Sequence, residues 1–175
     1  MRPFFRDYSP SDRRDCMAIF SSNVPRFFRE RERADFEAFI DTSGCPYFVV
    51  GVSHIIVGCG GYGIREPGGL ADLCWGMIDA SYHGNHCGEF LLLARLREIV
   101  DCQNVTGVRL TTSQLTEGFF QRYGFEVQSR EADGIDDGLD SVEMRLDLTR
   151  DLRASVLARW QSMSGDSESL NRSDR

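Results

Sequence analysis

No lysine occurs anywhere in the 175 residues, so all 20 of the lysine-plus-arginine count are arginines. That excludes a lysine nucleophile, base or Schiff-base former. There is no Cys-x-x-Cys pair. The six cysteines, Cys16, Cys45, Cys59, Cys74, Cys87 and Cys102, are scattered, several of them in apolar runs where cysteine behaves as a small hydrophobe. No apolar run approaches the ~20 residues of a membrane span, and the chain start, Met1–Asp7, lacks the apolar stretch of a signal peptide. The expectation is a cytoplasmic protein with reduced thiols. A formal net charge of -7 and a pI near 5.0 argue against nucleic acid or an anionic membrane as partner. The chain has no internal repeat.

What is present suits one soluble domain. Hydrophobic residues make up 41% and charged residues 27%, enough to bury a core without staples. The informative stretch begins at Leu73–Asp79, which reads as a strand. Ala80–Gly88 follows as a polar loop, and Glu89–Val100 as a helix with Phe90, Leu92, Leu93, Leu96, Ile99 and Val100 on one stripe. Arg95, Arg97, Glu98 and Asp101 fall mostly outside that stripe. A glycine-bearing loop that opens a helix presents unpaired amides and a positive dipole end, a place to hold a phosphate. It is equally the plain strand-turn-helix of a packed core.

Around this stretch the pattern predicts a short first strand at Phe4–Tyr8, a helix capped by Ser11 or Asp12, and a second helix near 33–40. A hairpin of Tyr47–Val52 with Ile55–Cys59 turns at Ser53-His54. Val108–Thr112 is a strand parallel to Leu73–Asp79, because a helix lies between them. A short helix near 116–123 stops at Gly124. Phe125–Arg130 is a strand, Glu131–Leu139 an acidic loop, and Val142–Leu148 a strand by its strict alternation. Residues 150–163 form a helix that packs on the domain or on another subunit, so a homodimer is a candidate assembly. Ser164–Arg175 reads as a polar tail.

Two segments resemble the GCN5-related N-acetyltransferases (the GNAT superfamily). His83-Gly84-Asn85-His86-Cys87-Gly88 is similar to their Gln/Arg-x-x-Gly-x-Gly/Ala motif, with His83 for Gln/Arg and His86 for the middle glycine. Ser113–Phe125 resembles their Asn-x-x-Ala-x-x-x-Tyr-Glu-Lys-x-Gly-Phe segment, with Phe120 at the tyrosine. The resemblance covers roughly residues 1–148, leaving 149–175 as a C-terminal helix and tail. It implies the acyl-CoA N-acyltransferase fold: a mixed α/β, mostly antiparallel sheet with a splayed parallel strand pair and helices on both faces. Gly76 is the natural place for the bulge that opens the splay.

The function implied is transfer of the acetyl group of acetyl-CoA, as co-substrate, to a primary amine of a small molecule or protein, by direct attack. A non-catalytic acyl-CoA-binding or regulatory module on the same fold is the alternative. Met77, Ile78 and Asp79 would hold the pantetheine arm. His83, Gly84, Asn85, His86, Cys87, Gly88 and Glu89 would surround the pyrophosphate, and Ser113 and Phe120 would complete the cofactor site. Asp72 matches the place of a glutamate base in some members, and it also reads as a solvent-facing strand carboxylate; Glu117 and Asp79 are reserves. Tyr123 is the candidate proton donor for the departing thiolate, with Tyr82 and Ser113 behind it. His83, His86 and Cys87 fit no zinc spacing and have no fourth ligand, so no metal is expected. The acceptor would meet Asn23, Arg26, Phe27, Phe28 and the Asp133–Asp140 loop, whose aspartates could attract a cationic amine and also read as a surface acidic loop with no such role.

Overall fold

The computed structural model describes residues 3–65 and 69–168. The elements, in order, are β1 (Pro3–Asp7), α1 (Arg13–Ser22), α2 (Arg33–Thr42), β2 (Tyr47–Val52), β3 (Ile55–Arg65), β4 (Leu70–Ile78), α3 (Cys87–Val100), β5 (Gly107–Thr112), α4 (Glu117–Gln121), β6 (Glu126–Asp136), β7 (Leu139–Asp147) and α5 (Arg150–Glu168). The strands form one sheet in the order β1-β2-β3-β4-β5-β7-β6. Neighbours are antiparallel except β4 and β5, which the α3 crossover makes parallel. That pair is joined only at Leu70–Gly107, Ala71–Val108 and Asp72–Arg109, after which the strands part.

Helices cover both faces. On one, Leu92, Leu96 and Ile99 of α3 share a core with Val108 and Leu110 of β5 and Val142, Met144 and Leu146 of β7. Each fully buried aliphatic side chain of this kind contributes about 2 kcal/mol. On the other, Ile19 and Phe20 of α1 and Phe36 of α2 pack on Tyr47, Val49, Cys59 and Met77. α5 returns to its own domain, with Val156 in the α3-side core and Trp160 stacked on Phe90 at 5.3 Å.

Three expectations change. The acidic loop at 131–139 is a continuation of two strands: β6 runs to Asp136, β7 begins at Leu139, and a turn at Asp137-Gly138 joins them. β6 is an edge strand exposed along most of its length, so backbone pairing holds it and no apolar alternation marks it. Helix α5 passes Ser164 and reaches Glu168, while the rest of the predicted tail lies outside the described residues. Arg95 belongs to the buried face of α3, not its exposed one.

Candidate active site

The site is built on an irregularity in β4. Cys59 pairs with Met77 and Gly61 with Cys74, so Gly60 alone faces both Trp75 and Gly76. This is a bulge where the glycine pattern predicts it, but the left-handed backbone falls on Trp75, at φ +44°. A bulky residue rarely adopts that conformation unless its surroundings impose it. Here the indole packs on Phe36 at 5.1 Å and Phe28 at 5.9 Å, and the Trp75 carbonyl accepts from the Tyr47 hydroxyl at 3.0 Å. The bulge also switches the faces. Ala71 and Leu73 belong to the α3-side core, whereas Trp75 and Met77 belong to the α1–α2 side.

A cleft of about 270 Å³ lies where β4 and β5 part, lined by Leu73, Cys74, Trp75, Leu110 and Thr111. Asp72 stands at its paired end with Arg65 and Arg109. Both oxygens of Asp72 are engaged: Oδ1 accepts from Arg109 Nε at 2.8 Å and Oδ2 from Arg65 Nε. The hydrogen bond to Asp72 is the main reason the Arg109 guanidinium is held above its usual range. Each carboxylate oxygen has a second lone pair, so the ion pairs leave room for a water. The reserve bases are committed elsewhere. Asp79 accepts from the Ser81 amide at 2.9 Å as the cap of the next turn, and Glu117 is bridged by Arg130.

Beyond Ile78 the loop bends twice through left-handed backbone, at Gly84 (φ +80°) and His86 (φ +60°). His86 replaces the glycine of the family pattern in side chain only, since the backbone there keeps a conformation that glycine favours. Among the described residues, the amides of Gly84, His86 and Gly88 donate to no acceptor. They sit at the positive end of the 14-residue helix α3. His86 Nδ1 lies 3.2 Å from the Glu89 carboxylate. His83 turns the other way: its Nε2–H donates to the Ile78 carbonyl at 2.9 Å, and its ring meets Phe27 edge-on at 5.3 Å. Asn23 donates to the same carbonyl at 2.8 Å and to Ile19 at 2.8 Å. The described residues contain no cluster of three or more histidine, cysteine or acidic side chains able to hold a metal.

The second predicted segment divides. Ser113 is buried, and its carbonyl accepts from the Thr116 and Glu117 amides, both at 3.1 Å. Phe120 packs on Phe119 at 5.0 Å and on Phe125 at 5.6 Å. Tyr123 stands beside Glu89, and Arg159 lies over its ring at 5.5 Å; burial, then Glu89, pushes its phenol up. Tyr123 therefore joins Glu89 and His86 at the start of α3 and does not line the cleft.

The expected acceptor elements meet. Asp136, near the β6–β7 turn, binds Arg29 Nε at 2.5 Å and Arg31 Nη1 at 3.4 Å, both from the linker between α1 and α2. In the same linker Phe27 touches His83 and Phe28 stacks on Trp75. The residue that sequence reasoning missed is Arg95, which is 4% exposed beneath the bulge. Its signal was available: it lies four residues after Leu91 and three after Leu92, on their face of the helix.

Residues 19–148 match the family model described as an acetyltransferase (GNAT) domain. A search of curated proteins finds no match. Among solved structures, the ribosomal-protein-alanine N-acetyltransferase of Brucella melitensis superposes with a TM-score of 0.67 at 19% identity, covering 83% of this chain and 99% of that one. The ribosomal-protein-S18-alanine N-acetyltransferase of Escherichia coli gives 0.70 at 14%, covering 84% and 94%. An aminoglycoside 6′-N-acetyltransferase complexed with coenzyme A gives 0.69 at 10%, covering 84% and 98%. These likenesses show a shared fold, and the family model covers most of the chain. The chain therefore belongs to the GNAT acetyltransferases, acyltransferases that take acetyl-CoA as co-substrate.

Proposed function

We propose that the protein acetylates a primary amine by direct attack on the acetyl-CoA thioester within a ternary complex. The observation that carries this reading is the one-ended pairing of β4 and β5, which leaves the bulged edge of β4 open beside a cleft. The pantetheine arm lies along that edge at Met77, Ile78 and Asp79, as an added strand would. The pyrophosphate rests on the amides of Gly84–Gly88, with Glu89 and Phe120 beside the cofactor. Because the loop keeps its backbone shape, the two histidine departures leave these amide donors in place.

The acceptor enters between the α1–α2 linker and the β6–β7 turn, where Asp133 and Asp140 favour a cationic amine. An alkyl ammonium, with a pKa of about 10, must lose a proton before it attacks. Asp72 takes that proton through a water, since its carboxylate faces the cleft and retains lone pairs.

The test is a thermal melt with acetyl-CoA and with free CoA, followed by an amine screen that reads thiol release. A ligand bound only to the folded state at a hundredfold excess over Kd adds about 2.7 kcal/mol of stability. No shift at saturation refutes the cofactor site. A shift with no thiol release on any amine supports the binding-module reading instead. With no lysine in the chain, acetyl incorporation into lysine in such assays can arise only from an added acceptor.

A further inference from the structure

Arg95 is a buried cation that no anion among the described residues answers. Its Nε donates to the Leu91 carbonyl at 3.3 Å, one turn back in its own helix. Among the described residues no carboxylate pairs with it; the titratable groups beside it are Cys74, Tyr47 and Cys59, from β4, β2 and β3. A guanidinium placed so deep without a counter-charge is costly to desolvate. Burial pulls its pKa down to about 10, which still leaves it charged at neutral pH.

The sheet makes room for this group. A Cβ at Gly76 would stand 2.7 Å from Nη1 and 2.8 Å from Nη2, and one at Gly60 would stand 3.1 Å from Nη1. Two facing glycines, one on β3 and one on β4, thus open a window at the bulge, and the guanidinium fills it. Its charge is felt in the cleft: Cys74 lines that cleft, and Arg95 opposes the burial that pushes the Cys74 thiol up to about 12.

We propose that Arg95 supplies the counter-charge for the coenzyme A thiolate that departs at the β4 bulge. The assignment rests on the acetyl-CoA reading above. In the step, the amine nitrogen forms a bond to the thioester carbon. The tetrahedral intermediate collapses, the carbon–sulfur bond breaks, and its electron pair leaves on sulfur. The amine proton passes through water to Asp72 and then to solvent. Sulfur need not be protonated as it leaves, because a fixed positive charge stands close to it. This accounts for Phe120, which occupies the place of the family's tyrosine and has no proton to give.

The experiment measures binding of CoA and of desulfo-CoA, which lacks the thiol, by calorimetry between about pH 6 and pH 10, spanning ordinary thiol titration. The expected result is a bound thiol that titrates at least about one pH unit below free CoA, so that affinity for CoA relative to desulfo-CoA rises about tenfold. Arg95→Met abolishes the rise and Arg95→Lys retains part of it. A role limited to bracing the bulge would weaken both ligands alike and leave the ratio flat. A bound thiol that titrates as it does in free CoA overturns the assignment while leaving the cofactor reading intact. Failure of both ligands to bind overturns the two together. Should Arg95→Met not fold, the wild-type ratio alone decides.

Discussion

Asp72→Asn separates chemistry from architecture at the centre of the site. Asparagine keeps the shape of the side chain, removes its charge and turns an amide toward one of two arginines. Two ion pairs are lost, to Arg109 at 2.8 Å and to Arg65. The side chains involved are 24% (Asp72), 27% (Arg109) and 66% (Arg65) exposed, so solvent screens both pairs. At that exposure each contributes about 0.2–1 kcal/mol, and the combined loss is about 0.4–2 kcal/mol. It is read as a lower denaturant midpoint with an unchanged slope. If Asp72 removes the amine proton, kcat falls about 10²–10⁴-fold while acetyl-CoA binding persists. Arg109→Met is the control, because it breaks the 2.8 Å pair but leaves the carboxylate in the cleft. It should show a similar stability loss and keep activity within a few-fold. Thiol release at saturating acetyl-CoA, followed across pH, is the assay. Full activity in Asp72→Asn refutes the base assignment, and equal activity losses in the two variants assign the arginine–aspartate cluster to structure.

Asn23→Ala should destabilise the fold by about 1–3 kcal/mol, because two buried hydrogen bonds are lost: the Ile19 carbonyl keeps only the Ser22 hydroxyl and the Ile78 carbonyl keeps only His83. Asn23 opens the linker that the proposed function assigns to the acceptor, so on that reading the variant's KM for amine should rise more than its KM for acetyl-CoA, read by steady-state kinetics. Asp12 accepts from Arg6 at 2.6 and 2.8 Å and from the Ser9 amide at 2.9 Å, and these bonds hold its carboxyl below the usual range. A depressed native pKa stabilises the fold above the unfolded value, about 3.9, and that stability is lost as pH falls through the native value. Equilibrium unfolding should therefore show the wild type and Asp12→Asn converging below about pH 4, and a constant gap from pH 7 to pH 3 would contradict it.

Most of the scaffold could be read from periodicity. Alternation marks β7, the helical stripe marks α3, and the order of elements forces β4 and β5 to be parallel. What escaped depends on partners far along the chain. β6 is exposed on most of its surface, so its strand character comes from pairing with β7, and its acidic, glycine-bearing end reads as loop. The arginines on Asp72 follow from cross-strand register, Gly63–Asp72 and Asp72–Arg109, which no local pattern encodes. His86 counts as a departure by letter, yet its φ of +60° is a backbone conformation that glycine favours. Arg95 was lost for a different reason: a charged residue is normally assigned to solvent, and only two facing glycines allow this one to lie inside.

The partial pairing of β4 with β5 has a mechanical consequence. Within the sheet, strands β1–β4 and strands β5–β7–β6 are joined at three rungs, and the α3-side core packs under both. The α1–α2 linker on the first side and the β6–β7 turn on the second are latched together by Arg29 and Arg31 on Asp136. Under the proposed function, a cofactor arm lying between β4 and β5 would set how far apart the two sets of strands stand, and with it the gap through which the amine would enter. On that reading the donor would gauge the gap first, and the amine would then be measured against an opening the donor has already sized.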